Sequence, residues 1–170
     1  MVMRDSDVVG TNPNDYGETF SKDLIEQYKL TRTTITDLQN DRNTNNRFLI
    51  GICTALFGVE GFFLKNSLDG KLDSYSIVTS VIFAIIPILG IYIGHLWIKW
   101  NQSYGIALKV RYKLLKGMEL HLPSQPFIKE KILRDELGYV QITDIITHMA
   151  KFFKRAFVLM FILSLIRLVF

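Results

Sequence analysis

Cysteine is nearly absent: Cys53 is the only one in 170 residues, so no intramolecular disulfide can form and zinc sites needing two or more cysteines are excluded. The familiar catalytic signatures are also missing. There is no Gly-x-Gly-x-x-Gly, no P-loop, no Gly-x-Ser-x-Gly and no His-Glu-x-x-His. His95, His121 and His148 are scattered, and the aspartates form no paired cluster of the kind that holds magnesium for phosphoryl or prenyl transfer. The expectation is a protein that is not an enzyme, with no cofactor and no metal site. Helix breakers are sparse too, and between Thr19 and Gly51 neither proline nor glycine intervenes.

Hydrophobic residues make up 49% of the chain and charged ones 21%, with a mean hydropathy of +0.21, a mixture that argues against both a disordered polymer and an ordinary soluble globule. The apolar residues are concentrated in three runs. Residues 48–64 read FLIGICTALFGVEGFFL, interrupted only by Glu60, and reach the lower end of a spanning length. Residues 76–98 form the strongest run, closed by Lys99 and Trp100, with His95 its only titratable imidazole. The weakest run, 152–170, contains Arg167. A largely polar stretch of 47 residues precedes the first run, which argues against a cleaved signal peptide. The expected fold class is an all-α membrane protein: a transmembrane helical hairpin plus a third C-terminal span, with amphipathic cytoplasmic helices.

Charge placement gives the orientation. Residues 99–155 carry eleven basic side chains against five acidic ones, whereas 65–75 balances Lys65 and Lys71 against Asp69 and Asp73. By the positive-inside rule, 1–47 and 99–151 face the cytoplasm of an inner membrane, 65–75 faces outside, and a third span from 152 brings the C-terminus outside. The alternative for 152–170 is a helix lying in the headgroup plane or packed within an oligomer. Residues 1–18 read as a flexible lead-in. From about Thr19 to residue 47, Phe20, Leu24, Tyr28, Thr31, Ile35 and Leu38 recur at spacings of three and four, which places one stripe along a helix. That helix is expected to run unbroken into the first span, as a rod of roughly 65–70 Å. Its stripe packs either within the chain or against another copy as a coiled coil.

Beyond the second span, Tyr104, Leu108, Tyr112, Leu115 and Leu122 share one helix face, and Lys109, Lys113 and Lys116 share another. These three lysines form a candidate docking surface for anionic headgroups, a nucleotide signal or the acidic N-terminal helix, while direct nucleic-acid binding is not expected. Pro123 and Pro126 stop the helix. A short helix over about 127–137 follows, ending at Gly138, and another starts near Ile142.

Within the membrane Glu60 demands explanation, because a carboxylate near the middle of a span costs about 2.5–3.5 kcal/mol on insertion scales. It and Arg167 sit at similar depth. They either pair, within or between chains, or Glu60 is protonated or lines a lumen while Arg167 snorkels outward. His95, with Trp97 and Trp100, reads as part of an interfacial belt. Gly51, Ala55 and Gly58 line one helix face, and Gly90 and Gly94 form a GxxxG. Both faces suit close helix packing, to close the hairpin or to join copies. Pro87 is placed to kink the second span.

Tyr28-Lys29-Leu30, Asp41-Arg42-Asn43, Asn46 and Phe48, then Trp100, Ser103-Tyr104, Lys109, Glu119, Leu122-Pro123, Pro126-Phe127, Glu136 and Gly138 resemble small bacterial membrane proteins of the RipA-like family, over residues 22–165. The layout is also similar to SLATT-type membrane effectors. The RipA-like resemblance implies a helical three-span protein often encoded beside phage-defence or restriction genes. The similarity to the two-span SLATT type implies an effector that perforates the membrane when a nucleotide or nucleic-acid sensor signals infection, with a cytoplasmic defence protein or a nucleotide signal as partner. A prenyl-diphosphate synthase activity sometimes attached to the family would require acidic metal clusters, which this sequence lacks. Three short spans cannot enclose a conduit alone, so a pore in the lipid bilayer requires a homo-oligomer, with the first span and Glu60 as its expected lining. The alternatives are a non-conducting scaffold that recruits a cytoplasmic partner and a small proton-coupled transporter.

Overall fold

The computed structural model describes residues 16–69 and 77–169, and the side chains among them other than those of 68, 77–80 and 167–169. Four helices occupy these residues: α1 (Phe20–Leu68), α2 (Ile77–Glu119), α3 (Pro126–Glu136) and α4 (Ile142–Val169). No strand occurs among them. Residues 1–15 of the expected lead-in over 1–18, most of the connection over 65–75 and the Arg167 side chain lie outside the described residues.

One helix, α1, covers what the sequence divides into a cytoplasmic helix and a first span. Nothing in it lacks helical propensity badly enough to break it before residue 68. Likewise α2 continues through Pro87 and past the apolar run to Glu119. Both are long and apolar enough to cross a membrane, over Phe20–Ser67 and Val81–Glu119. Lys151, Lys154 and Arg155 on one side and Arg167 on the other confine the charge-free part of α4 to residues 156–166.

The chain divides into two compact units. The first comprises 1–42 and 103–141. In it Leu24 and Ile35 of α1 and Leu108 and Leu115 of α2 are buried, with Tyr28, Leu38, Tyr112 and Phe127 packed around Ile35, Leu108 and Leu115. The apolar stripe of 20–38 therefore packs within its own chain. Polar groups tie the same helices: Gln39 Nε2 donates to the Tyr112 hydroxyl at 2.9 Å, and an Arg111 guanidinium N–H donates to the Thr34 carbonyl at 2.7 Å.

The second unit comprises 43–102 and 142–170. Its core is Leu49 and Cys53 of α1, Trp97 of α2, and Ala150 and Phe157 of α4. The buried positions of α4, at 150, 157 and 164, are seven apart, and those of α1 include 46, 49, 53, 60 and 67. This is the seam expected where nearly aligned helices interdigitate side chains at alternating spacings of three and four.

Candidate functional site

The apolar unit carries polar groups on its packing seams. At one level Trp97 Nε1–H donates to Asn46 Oδ1 at 2.7 Å, joining α2 to α1. One turn further along α2, Asn101 Nδ2 donates to the Thr143 carbonyl at 2.8 Å and to Thr147 Oγ1 at 2.7 Å, joining α2 to α4. Thr147 Oγ1 in turn donates to the same Thr143 carbonyl at 2.7 Å. Asn46 and Asn101 are both buried and each is bonded at one end of its amide, while Asn46 Nδ2 and Asn101 Oδ1 have no partner among the described residues, so the bonds made fix helix register at a desolvation cost. Replacing Trp97 with Phe keeps an aromatic ring at this place but removes the donor, leaves Asn46 Oδ1 without it and empties part of the buried indole volume. It should lower stability by about 2 kcal/mol or more, the lost interhelical hydrogen bond and the cavity acting together. Thermal unfolding in detergent reads this, and a Trp97→Phe variant melting with the parent would show that the bond contributes nothing.

Glu60 sits on the same α1 seam, two turns beyond Cys53. It is 5% exposed, and its Oε2 has no hydrogen-bond partner among the described residues. Its side chain is packed inside one protomer. An outward-facing lining role would require a different face of α1.

The small residues fall into two sets. Gly90 and Gly94 are buried and serve contacts within the chain. A Cβ at Gly90 would overlap the ring of Phe157, and one at Gly94 would approach Lys154 Cβ to 3.0 Å. Gly51, Ala55 and Gly58 are exposed, and a Cβ at either glycine would meet nothing within 4 Å. They lie between the exposed rings of Phe48 and Phe62 at spacings of three and four, so α1 has a second, outward stripe opposite its seam. On α2, Val81, Ile85, Ile88, Tyr92, His95 and Lys99 form a comparable outward stripe, polar toward its C-terminal end.

In the first unit Lys109 and Lys113 are exposed and Lys116 is half-buried, and Lys113 and Lys116 each already engage another group. The most completely built polar feature is Glu119, the last residue of α2 and fully buried. Its carboxylate accepts from the Tyr28 hydroxyl at 2.9 Å and from the amides of Phe127 and Ile128 at 3.0 Å each. The first turn of α3 has Pro126 without an N–H, and Lys129 N–H goes to the Gln125 carbonyl, so Glu119 completes the satisfaction of that helix end. Burial first, and then the hydrogen bond and the negative charge of Glu119, push the Tyr28 hydroxyl up to about 12.

Sequence reasoning singled out Glu60 and the glycines but missed Asn101 and the capping role of Glu119. The available signal for Asn101 was its place four residues after Trp97 on an otherwise apolar face. No local signal marks a cap supplied from eight residues upstream.

The family model described as "Octameric membrane protein family (8xMP)" matches residues 25–167. No curated protein and no solved structure matches the chain.

Proposed function

Because the chain belongs to the octameric membrane protein family, we propose that it is one subunit of an eight-copy effector that opens a pore or disturbs the inner membrane in antiviral defence. The observation that carries this reading is the family match together with two apolar helices, each bearing a long outward stripe. Apolar side chains on such stripes can face lipid, but glycines open to within 4 Å of nothing suit the close approach of another helix. In the proposed assembly the Phe48, Gly51, Ala55, Gly58 and Phe62 stripe makes contacts between copies. The Tyr92, His95 and Lys99 end of the α2 stripe faces the lumen. The α4 helix crosses as a third span, the first unit is cytoplasmic, and the C-terminus emerges outside. The defence role is supported by the RipA-like and SLATT-like resemblance, which also suggests a cytoplasmic protein or nucleotide as trigger, with Lys109 as part of the surface that receives it.

Two measurements test the proposal. The protein part of the detergent-solubilised complex should have a mass of eight times the 19.6 kDa protomer by light scattering, and induced expression should collapse the membrane potential of the host cell. Gly58→Leu should abolish both by filling the contact face, while leaving the helical content unchanged. A monomer in detergent, or a normal potential with phage protection retained, overturns the pore.

A further inference from the structure

The first unit carries an apolar surface that its own core does not account for. No residue of α3 is buried, and Ile132, Leu133, Leu137, Tyr139 and Val140 are all exposed, Leu137 at 84%. Clusters of this kind mark interaction sites. This one is also held rigidly. Tyr139 N–H donates to the Arg134 carbonyl at 3.0 Å and Gly138 N–H to the Asp135 carbonyl at 3.4 Å, the paired bonds of a Schellman motif, with Gly138 at φ +65°. Arg134 closes the motif from the side-chain direction, with its guanidinium 5.5 Å from the centre of the Tyr139 ring and 3.0 Å from Glu130. The turn therefore presents Leu137 and Tyr139 in a fixed place, so little ordering entropy is lost there on binding.

The surrounding charge indicates the occupant. Lys129, Lys131 and Arg134 are balanced by Glu130, Asp135 and Glu136, and Arg134 is already engaged with Glu130 and Tyr139. A surface made for anionic headgroups carries an excess of free lysine and arginine. An apolar centre with a charge-balanced polar rim is the anatomy of a protein interface. We propose that this surface, Ile132 to Val140, docks onto a second copy of the chain, making a contact between subunits outside the apolar unit. The inference rests on the eight-copy assembly, since that assembly supplies the neighbouring copy.

The test uses the full chain in detergent. Leu137→Asp should leave helical content unchanged and melt as the dissociated parent protomer does, because the side chain touches little in its own protomer. It should also reduce the assembled fraction by about tenfold or more at equal protein concentration, the effect of losing one anchor side chain. In a Cys53→Ala background, Leu137→Cys should react with a maleimide at least about tenfold more slowly in the assembled fraction than in protein dissociated by Leu133→Asp. If the parent protein is a monomer, the assembly itself is refuted. If the parent is octameric and Leu137→Asp leaves it intact, only the docking surface is overturned. Quenching of a fluorophore at position 137 by brominated lipid in reconstituted vesicles would overturn it in favour of the bilayer surface.

Discussion

Glu119→Ala is expected to release α3 and lower stability by about 3 kcal/mol or more, since each hydrogen bond to a charged group contributes about 1.5–3 kcal/mol and three donors lose one acceptor together. The contributions do not add fully, because a freed α3 can expose its first-turn amides to water. Phe127, whose ring packs on Tyr28, belongs to α3, so the Tyr28 hydroxyl also gains access to water when α3 is released. Glu119→Gln should lose less, because an amide keeps one acceptor oxygen and the second oxygen's place is taken by a donor facing an N–H. Hydrogen exchange distinguishes this from a general loosening. The Phe127 and Ile128 amides should exchange quickly in Glu119→Ala while amides in the middle of α1 stay protected, and equal protection in parent and variant would refute the cap.

The same contact fixes an alkaline limit. The folded-state Tyr28 value of about 12 lies above the ordinary value of 10.0, so the neutral hydroxyl contributes stability that is fully present below pH 10. That contribution declines as pH rises through the folded value, because a phenolate beside the buried Glu119 would be repelled and would no longer donate. Tyr28→Phe should be less stable than the parent at neutral pH and should lack this decline between about pH 10 and 12.

The helices themselves were legible in the sequence because period and spacing are local. Phe20, Leu24, Tyr28, Ile35 and Leu38 recur at helical intervals with no breaker among them, and α1 runs over all of them. Pro123 and Pro126 likewise mark the end of α2 and the start of α3, and Gly138 stands where α3 reverses. The roles of polar residues were less accessible. Glu119 closes an amphipathic helix in a basic neighbourhood, and in one dimension it reads as a surface carboxylate. Only the return of α3 turns it into a cap. Glu60 could be recognised as exceptional, but whether it faced a lumen or the protomer's own seam depended on which side of α1 receives Trp97 and Phe157. The glycines posed the same problem. Nothing in the spacing of Gly51, Ala55 and Gly58 distinguishes them from Gly90 and Gly94, and the position of α4 decides which set is used inside the chain.

That division yields the sharpest mutational contrast. Alanine is the better helix former by about 1 kcal/mol, so Gly51→Ala and Gly58→Ala, with open space at the new methyl, should leave the protomer's stability equal or slightly higher. Gly90→Ala gains the same propensity but drives its methyl into Phe157, a ring with no exposed surface that is also stacked on Phe57 at a centroid separation of 4.3 Å. Overpacking of this kind costs about 1–3 kcal/mol, and because the obstruction is a rigid ring held by a second ring, the upper part of that range should win over the propensity gain. The net expectation is a loss of about 1–2 kcal/mol in detergent unfolding. The cause can be isolated by Phe157→Leu, which destabilises alone by loosening the aromatic cluster but makes room for the methyl. The Gly90→Ala and Phe157→Leu double variant should therefore be more stable than the sum of the single losses, by more than about 0.5 kcal/mol. Additivity would mean that α2 and α4 separate freely, and that Gly90 is no more a packing glycine than Gly51.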